Sequence, residues 1–332
     1  MVSALVFAPS PLLTVTIEQK GSADDIHVHA GGQGFWIARM LAALDVSVTL
    51  CGSFGGETGL VVRTLIEREA VTVRGVDVEG GNAAYVDDRR SGTRTRVAQM
   101  AAPALSRHEV DALYSAMLVE GLEASVCVLA GTPGHHVLPD DTYGRLARDL
   151  RANGRVVVAD LSGVQLRSVL DGAPTVLKVS HTELIEGGWA TGGSEAELVH
   201  AMSDLRAAGT ETVIVSRAEQ GALVSTGEQL LHVDAPRLEP LDHRGAGDSM
   251  TAGVAAGLAH GWSIESAIRL GAAAGTLNVT RRGLASGERE AIEQLARHVQ
   301  LRPLELPRAR PNPSGGRTTT PEELAARARP AS

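Results

Sequence analysis

Two apolar runs, Val126-Cys127-Val128-Leu129-Ala130 and Arg155-Val156-Val157-Val158-Ala159-Asp160, flank an amphipathic stretch over 143–153. Their reading decides the fold class. Each run is short and rich in β-branched residues, with little polar alternation, as in strands covered on both faces. A helix joining two such strands is the unit of a parallel sheet. The same alternation extends in both directions. It predicts strands over 4–8, 46–51, 175–179 and 212–216, and helices over 34–44, 58–69, 108–118 and 195–208. The right-handed crossover rule leaves few topologies for such a chain. After Ser216 the pattern changes. A hairpin is predicted from 222–225 and 229–233 around Thr226-Gly227, followed by helices over 246–260, 264–279 and 288–299.

Two segments stand outside that alternation. Residues 12–17 and 82–100 are strand-like but more polar, with a turn at Arg90-Ser91-Gly92. They predict a small sheet projecting from the main body, with strands within about 11–18 and 82–100. The end of the chain, 303–332, holds six of the 14 Pro and five Arg against three Glu. It reads as a disordered tail, with a short helix over 321–329, following one domain over 1–302.

Composition excludes several classes. The chain has 332 residues, 43% of them hydrophobic, which is ample for a packed core. Its net charge of −8 argues against a nucleic-acid partner, because there is no basic excess to neutralise phosphates. No apolar run approaches the length of a membrane span, and the apolar start lacks the basic region of a signal peptide. Two cysteines, Cys51 and Cys127, sit inside apolar runs, which fits a reducing cytoplasm rather than a disulfide scaffold. The only two lysines, Lys20 and Lys178, are followed by Gly and Val, so no phosphate-binding P-loop exists. The glycine loops lack the spacing of a dinucleotide fingerprint, which weighs against an oxidoreductase of that type. His27/His29 and His135/His136 lack zinc-hydrolase spacing, and no permanent metal is expected.

The sharpest motif is Asp242-His243-Arg244-Gly245-Ala246-Gly247-Asp248-Ser249, which enters a helix of small residues. Small residues let backbone approach a ligand closely, and amides at a helix N-terminus bind anions. A carboxylate among them fits a group that takes a proton from a hydroxyl while the amides hold a phosphoryl group in transfer. A helix N-cap after a tight turn explains the same residues without chemistry.

Gly245-Ala246-Gly247-Asp248 resembles the second signature of the ribokinase-like (PfkB) carbohydrate kinases, and Ala30 to Gly34 through Gly52 to Gly59 resembles the first. The resemblance covers roughly residues 1–300 and is nearest the branch of 1-phosphofructokinase, 6-phosphofructokinase and tagatose-6-phosphate kinase. It implies a three-layer α/β sandwich with a mostly parallel central sheet and a small β-sheet lid. It also implies ATP-dependent phosphorylation of a sugar or sugar-phosphate hydroxyl. By resemblance Asp248 is the general base, and the amides of Gly245, Ala246 and Gly247 form the anion hole. Lys178, Ser180 and Glu183 fall on a nucleotide motif in which Glu183 holds water around Mg²⁺ that arrives with ATP. Ser216, Arg217, Gly221, His243, Ala272 and Thr276 fall at other nucleotide positions. Activation by a monovalent cation and pairing into a homodimer are both left open.

The acceptor half departs from the family. Thr14 stands where a sugar-binding Asp is expected, Gln33 where a Lys is, and Trp36 where an Asn is. Gly31 and Gly32 keep their places, and Arg96, with Arg94, is left to meet a substrate phosphate. The altered pocket is expected to discriminate poorly among hexoses and to favour an acceptor with an apolar or planar face. Its grip on a phosphate should be weak, with low activity on fructose 1-phosphate, fructose 6-phosphate and tagatose 6-phosphate. A nucleotide-binding sensor or interaction protein without kinase activity remains the alternative.

Overall fold

The computed structural model describes residues 2–132, 136–239, 241, 243–281 and 285–304. The chain opens with β1 (Ser3–Phe7), β2 (Leu12–Lys20), β3 (Ala23–Gly31), α1 (Gln33–Ala43), β4 (Ser47–Phe54), α2 (Gly56–Glu67) and β5 (Val71–Asp77). Next come β6 (Ala84–Asp88), β7 (Thr95–Met100), α3 (Arg107–Glu123), β8 (Val126–Ala130), α4 (Thr142–Ala152), β9 (Val156–Asp160) and α5 (Gly163–Leu170). Then follow β10 (Val176–Ser180), α6 (His181–Glu186), α7 (Glu195–Ala207), β11 (Thr212–Ser216), β12 (Ala222–Ser225) and β13 (Leu230–Asp234). The last elements are α8 (Ala246–Ala259), α9 (Ile264–Asn278), α10 (Arg289–Ala296) and β14 (Gln300–Pro303).

The main sheet has ten strands in the order β14-β13-β12-β11-β10-β9-β8-β1-β4-β5. It is parallel from β5 through β11, and β12, β13 and β14 add antiparallel strands at one edge. Strand side chains alternate between two apolar cores. Val126, Val128 and Ala130 face one core with Ile37 of α1, Ala252 of α8 and Ala273 of α9. Cys127 and Leu129 face the other with Leu113 of α3, Leu146 of α4 and Met202 of α7. Both faces are thus covered, which is why the strands read as continuous apolar runs. Burial pushes both cysteine thiols up to about 12, leaving them unreactive. Among the described residues no helix is long and apolar enough to cross a membrane.

A second sheet has four strands in the order β3-β2-β6-β7. The segments expected to be strand-like supply β2, β6 and β7. β3 was not expected. Its apolar residues Ile26 and Val28 are 63% and 43% exposed, so it lacks a burial pattern and is specified by pairing with β2. His27 and His29 lie on this edge strand, while His135 lies outside the described residues. β14 also escaped the sequence reading. It reaches Pro303 and pairs with β13, one residue beyond the boundary drawn at 302. Residues 305–332, including the helix expected over 321–329, lie outside the described residues.

Asn82 pins the small sheet to the main one. It is buried just before β6, and its Nδ2 donates to the carbonyls of Pro11 at 2.8 Å and Ser53 at 2.9 Å. Its Oδ1 accepts from the Gly55 amide at 2.9 Å. Three strand-end loops therefore meet on one side chain. Asn82→Ala should destabilise the fold by about 3 kcal/mol in chemical denaturation, because several buried polar groups lose their partners together.

Candidate active site

The order of the main sheet reverses at β1, which pairs with β4 on one side and β8 on the other. A crevice opens beyond the carboxyl ends of parallel strands at such a point. A cleft of about 300 Å³ lies there. Leu12, Gly32 and Gln33 line it from the segments flanking the small sheet, and Gly131 and Thr132 from the end of β8. Asp160, Leu161, Ser162 and Gln165 line it from β9 and α5, Glu183 from α6, and Asp248 from α8.

Asp248 stands in the first turn of α8. The preceding Gly245 has φ 73°, the left-handed conformation that favours glycine, and it turns the chain into the helix. The first turn of a helix leaves its amides without intrahelical acceptors, so this turn presents donors beside the carboxylate. Asn278 of α9 braces the approach. Its Nδ2 donates to the Arg244 carbonyl at 2.7 Å, and its Oδ1 accepts from the Ala285 amide at 2.8 Å. Asp242 of the motif lies outside the described residues.

Beneath the turn lies Lys178, 5% exposed in the middle of β10. Its Nζ is 3.2 Å from each carboxylate oxygen of Asp160. A Cβ on Gly247 would lie 2.6 Å from that Nζ, so any other residue there would push the ammonium from this position. Burial opposes the Lys178 charge, but Asp160, Asp248 and Glu183 outweigh it and push its pKa up. Burial also raises Asp248, to about 7; Asp160 and Glu183 add to the rise and Lys178 opposes it.

Glu183 closes a capping box on α6. Its Oε2 accepts from the Ser180 amide at 2.8 Å and from the Ser180 hydroxyl at 2.6 Å. Ser180 is thus the N-cap of α6, and Glu183 is oriented by it while lining the cleft.

The structure brings Asp248, Gly32 and Glu183 to one cleft, with Gly245, Ala246 and Gly247 leading into it and Lys178 behind. Other expected site residues lie apart from it. Thr14 is on β2 beside Gly31, and Trp36 packs against the apolar core and the Phe35 ring at 5.0 Å; neither lines the cleft. Arg96 is engaged within the small sheet, where its Nε donates to buried Asp87 at 3.1 Å and its guanidinium lies 3.7 Å from the Tyr85 ring centre. Ser216, Arg217 and Gly221 form the turn from β11 into β12. Arg217 is buried there and donates to Glu195 at 2.8 Å. Ala272 and Thr276 lie on α9, which packs along α8, and exposed His243 precedes the glycine turn.

The residues missed from sequence are Asp160, Thr251, Gln165 and Asn278. Asp160 had a usable signal, a carboxylate ending a fully apolar strand. Neutral polar side chains in ordinary loops and helices gave none.

A match to the model of the pfkB family carbohydrate kinases spans residues 12–291. The chain is 30% identical over 273 residues to a 1-phosphofructokinase of Bacillus subtilis, covering 82% of this chain and 88% of that one. A tetrameric inhibited form of phosphofructokinase-2 from Escherichia coli superposes with a TM-score of 0.77 at 24% identity, covering 90% of this chain and 99% of its own. An Arabidopsis thaliana ribokinase complexed with ribose and ATP superposes with a TM-score of 0.69 at 19% identity, over 89% of this chain and 98% of its own. The chain belongs to the pfkB family of carbohydrate kinases. It is a phosphotransferase that uses ATP to phosphorylate a sugar, and the alternative of a non-catalytic nucleotide-binding protein gives way to that.

The raised Asp248 pKa has a consequence for stability. The folded protein holds this proton more tightly than the unfolded chain, whose carboxyl titrates near 3.8. Stability conferred by the bound proton is therefore lost as pH rises from about 4 to about 7. Asp248→Asn should be more stable than the parent at pH 8 by up to about 4 kcal/mol, with the difference shrinking steadily on acidification and vanishing only near pH 4 in parallel denaturation curves.

Proposed function

We propose that Asp248 is the general base of this kinase and that the amide turn from Gly245 to Asp248 stabilises the phosphoryl group in flight. The observation that carries this reading is the Asp248 carboxylate, with raised proton affinity, on the first turn of a helix behind a glycine turn and inside the cleft at the sheet's switch point. An acceptor hydroxyl beside Asp248 gives up its proton to the carboxylate as its oxygen bonds to the γ-phosphorus, and ADP leaves. Phosphoryl transfer asks little else of a protein than positioning and charge stabilisation. Mg²⁺ arriving with ATP would supply further charge neutralisation, and Glu183, an oxygen donor fixed by its capping box, would hold its hydration shell. Ser216, Arg217, Gly221, His243, Ala272 and Thr276 are assigned to the nucleotide side. Monovalent-cation activation and homodimer formation are part of the same reading and rest on the family alone.

The acceptor is a hexose or a hexose phosphate. The 1-phosphofructokinase named among the relatives favours the phosphorylated form. The cleft favours a weak grip on that phosphate. Besides its three carboxylates the cleft is lined by the neutral groups Gln33, Thr132, Ser162 and Gln165, and Arg96 hydrogen-bonds Asp87 in the small sheet. A pair of free arginines would improve kcat/KM for the phosphosugar by more than about 100-fold, at 1.5–3 kcal/mol for each charge-assisted contact. Here fructose 1-phosphate should exceed free fructose by less than about 10-fold in a coupled ADP-release assay; a ratio of hundreds would show a phosphate clamp and overturn this account of the acceptor end.

Asp248→Asn should lower kcat by about 10²–10⁴-fold while ATP affinity by calorimetry changes little. In the parent, kcat/KM should fall as pH drops below about 7, the point at which Asp248 takes up its proton. Near-normal turnover in the variant, or a flat profile between pH 5 and 8, would remove Asp248 from the role of base.

A further inference from the structure

Asp160 belongs to none of the roles assigned so far. It is 1% exposed, ends β9 and lines the cleft. It grips Lys178 with both oxygens, and the hydroxyl of Thr251, one turn beyond Asp248 on α8, donates to its Oδ2 at 2.5 Å. One carboxylate therefore ties β9, β10 and α8 together at the turn that carries Asp248. Burying two charges is not an economical way to stabilise a core, since an apolar pair of similar volume is often as stable or more so. The place of this pair points to another use. The cleft carries three carboxylates, Asp160, Glu183 and Asp248, and Lys178 is the cation held against them and against Gly247. A phosphoryl group entering without that ammonium would meet mainly negative charge.

We propose that Asp160 is a positioning residue for phosphoryl transfer, holding the Lys178 ammonium behind the Gly245–Asp248 turn so that its charge acts on the transferred group. The proposal rests on the reading of this cleft as the transfer site, and it deepens that reading by naming what orients its cation. Groups facing Asp248 from neighbouring elements are Asp160 on β9, Lys178 on β10 and Glu183 on α6.

The test replaces both charges together. Asp160→Asn with Lys178→Met leaves no orphaned ion, so the double variant should fold and melt close to the parent. Its affinity for ADP by calorimetry should stay within about three-fold, because the adenosine contacts are untouched. The extra affinity that the parent gains when beryllium fluoride is added to ADP as a mimic of the γ-phosphoryl should be lost. With a sugar acceptor, kcat should fall by about 100-fold or more while the acceptor KM changes little. A merely structural pair would leave the beryllium fluoride gain and kcat intact in a variant that folds, and that result overturns the proposal. So does a parent that gains nothing from beryllium fluoride. If the double variant does not fold, Thr251→Val, which removes one hydroxyl donor to Asp160, should lower kcat by about 3–10-fold at constant KM; an unchanged kcat counts against the proposal. The ADP arms need no acceptor. Absence of sugar turnover in the parent would therefore overturn the kinase roles of the cleft while the beryllium fluoride arm still decides the role of Asp160.

Discussion

A lysine ammonium buried between a carboxylate and a glycine is the constraint on which the mouth of this protein depends. Lys178 comes so close to Gly247 that a Cβ there would displace its ammonium, and Asp160 answers its charge with both oxygens. The glycine at 247 therefore serves packing beneath the turn as much as ligand approach above it. Gly245 has a separate reason, its left-handed backbone. Together they place Asp248 on the first helical turn, facing the cleft, with a cation behind it and amides beside it.

That arrangement needs the sheet as its frame. β9 and β10 are parallel neighbours, so Asp160 and Lys178 come into register as Cα partners. α8 lies against the opposite side of this junction, its small residues buried against α9, with Gly253 close enough to Gly271 that a Cβ would come within 2.6 Å of the Gly271 Cα. Small side chains let α8 sit close, and the close fit sets Thr251 within hydrogen-bonding distance of Asp160. Packing of a helix pair thus controls the geometry of a charge cluster.

The small sheet follows a different logic. Its buried acid, Asp87, is pushed up by desolvation, but hydrogen bonds from Arg94 and Arg96 hold it below the usual carboxylate range. Arg94 Nε lies 2.8 Å away and Arg96 Nε 3.1 Å away. Two guanidiniums keep one carboxylate ionised inside a mostly exposed sheet.

Sequence alone determined the layered architecture and the Gly245–Asp248 turn. Both are local properties. A strand covered on two faces must be apolar at successive positions, and a left-handed turn entering a helix selects glycine at the position concerned, so neither depends on distant partners. The runs at 126–130 and 212–216 coincide with β8 and β11 for that reason. Only the tertiary structure decided β3, whose exposed face carries no burial signal, and Asn82, whose partners lie before β2 and at the end of β4, far from it in the chain. It also decided that Trp36 packs half-buried against the core, that Arg96 hydrogen-bonds Asp87, and that Asp160 meets Lys178 and Thr251. Those pairings join residues from different elements. They arise from strand order and helix placement, which no local periodicity encodes.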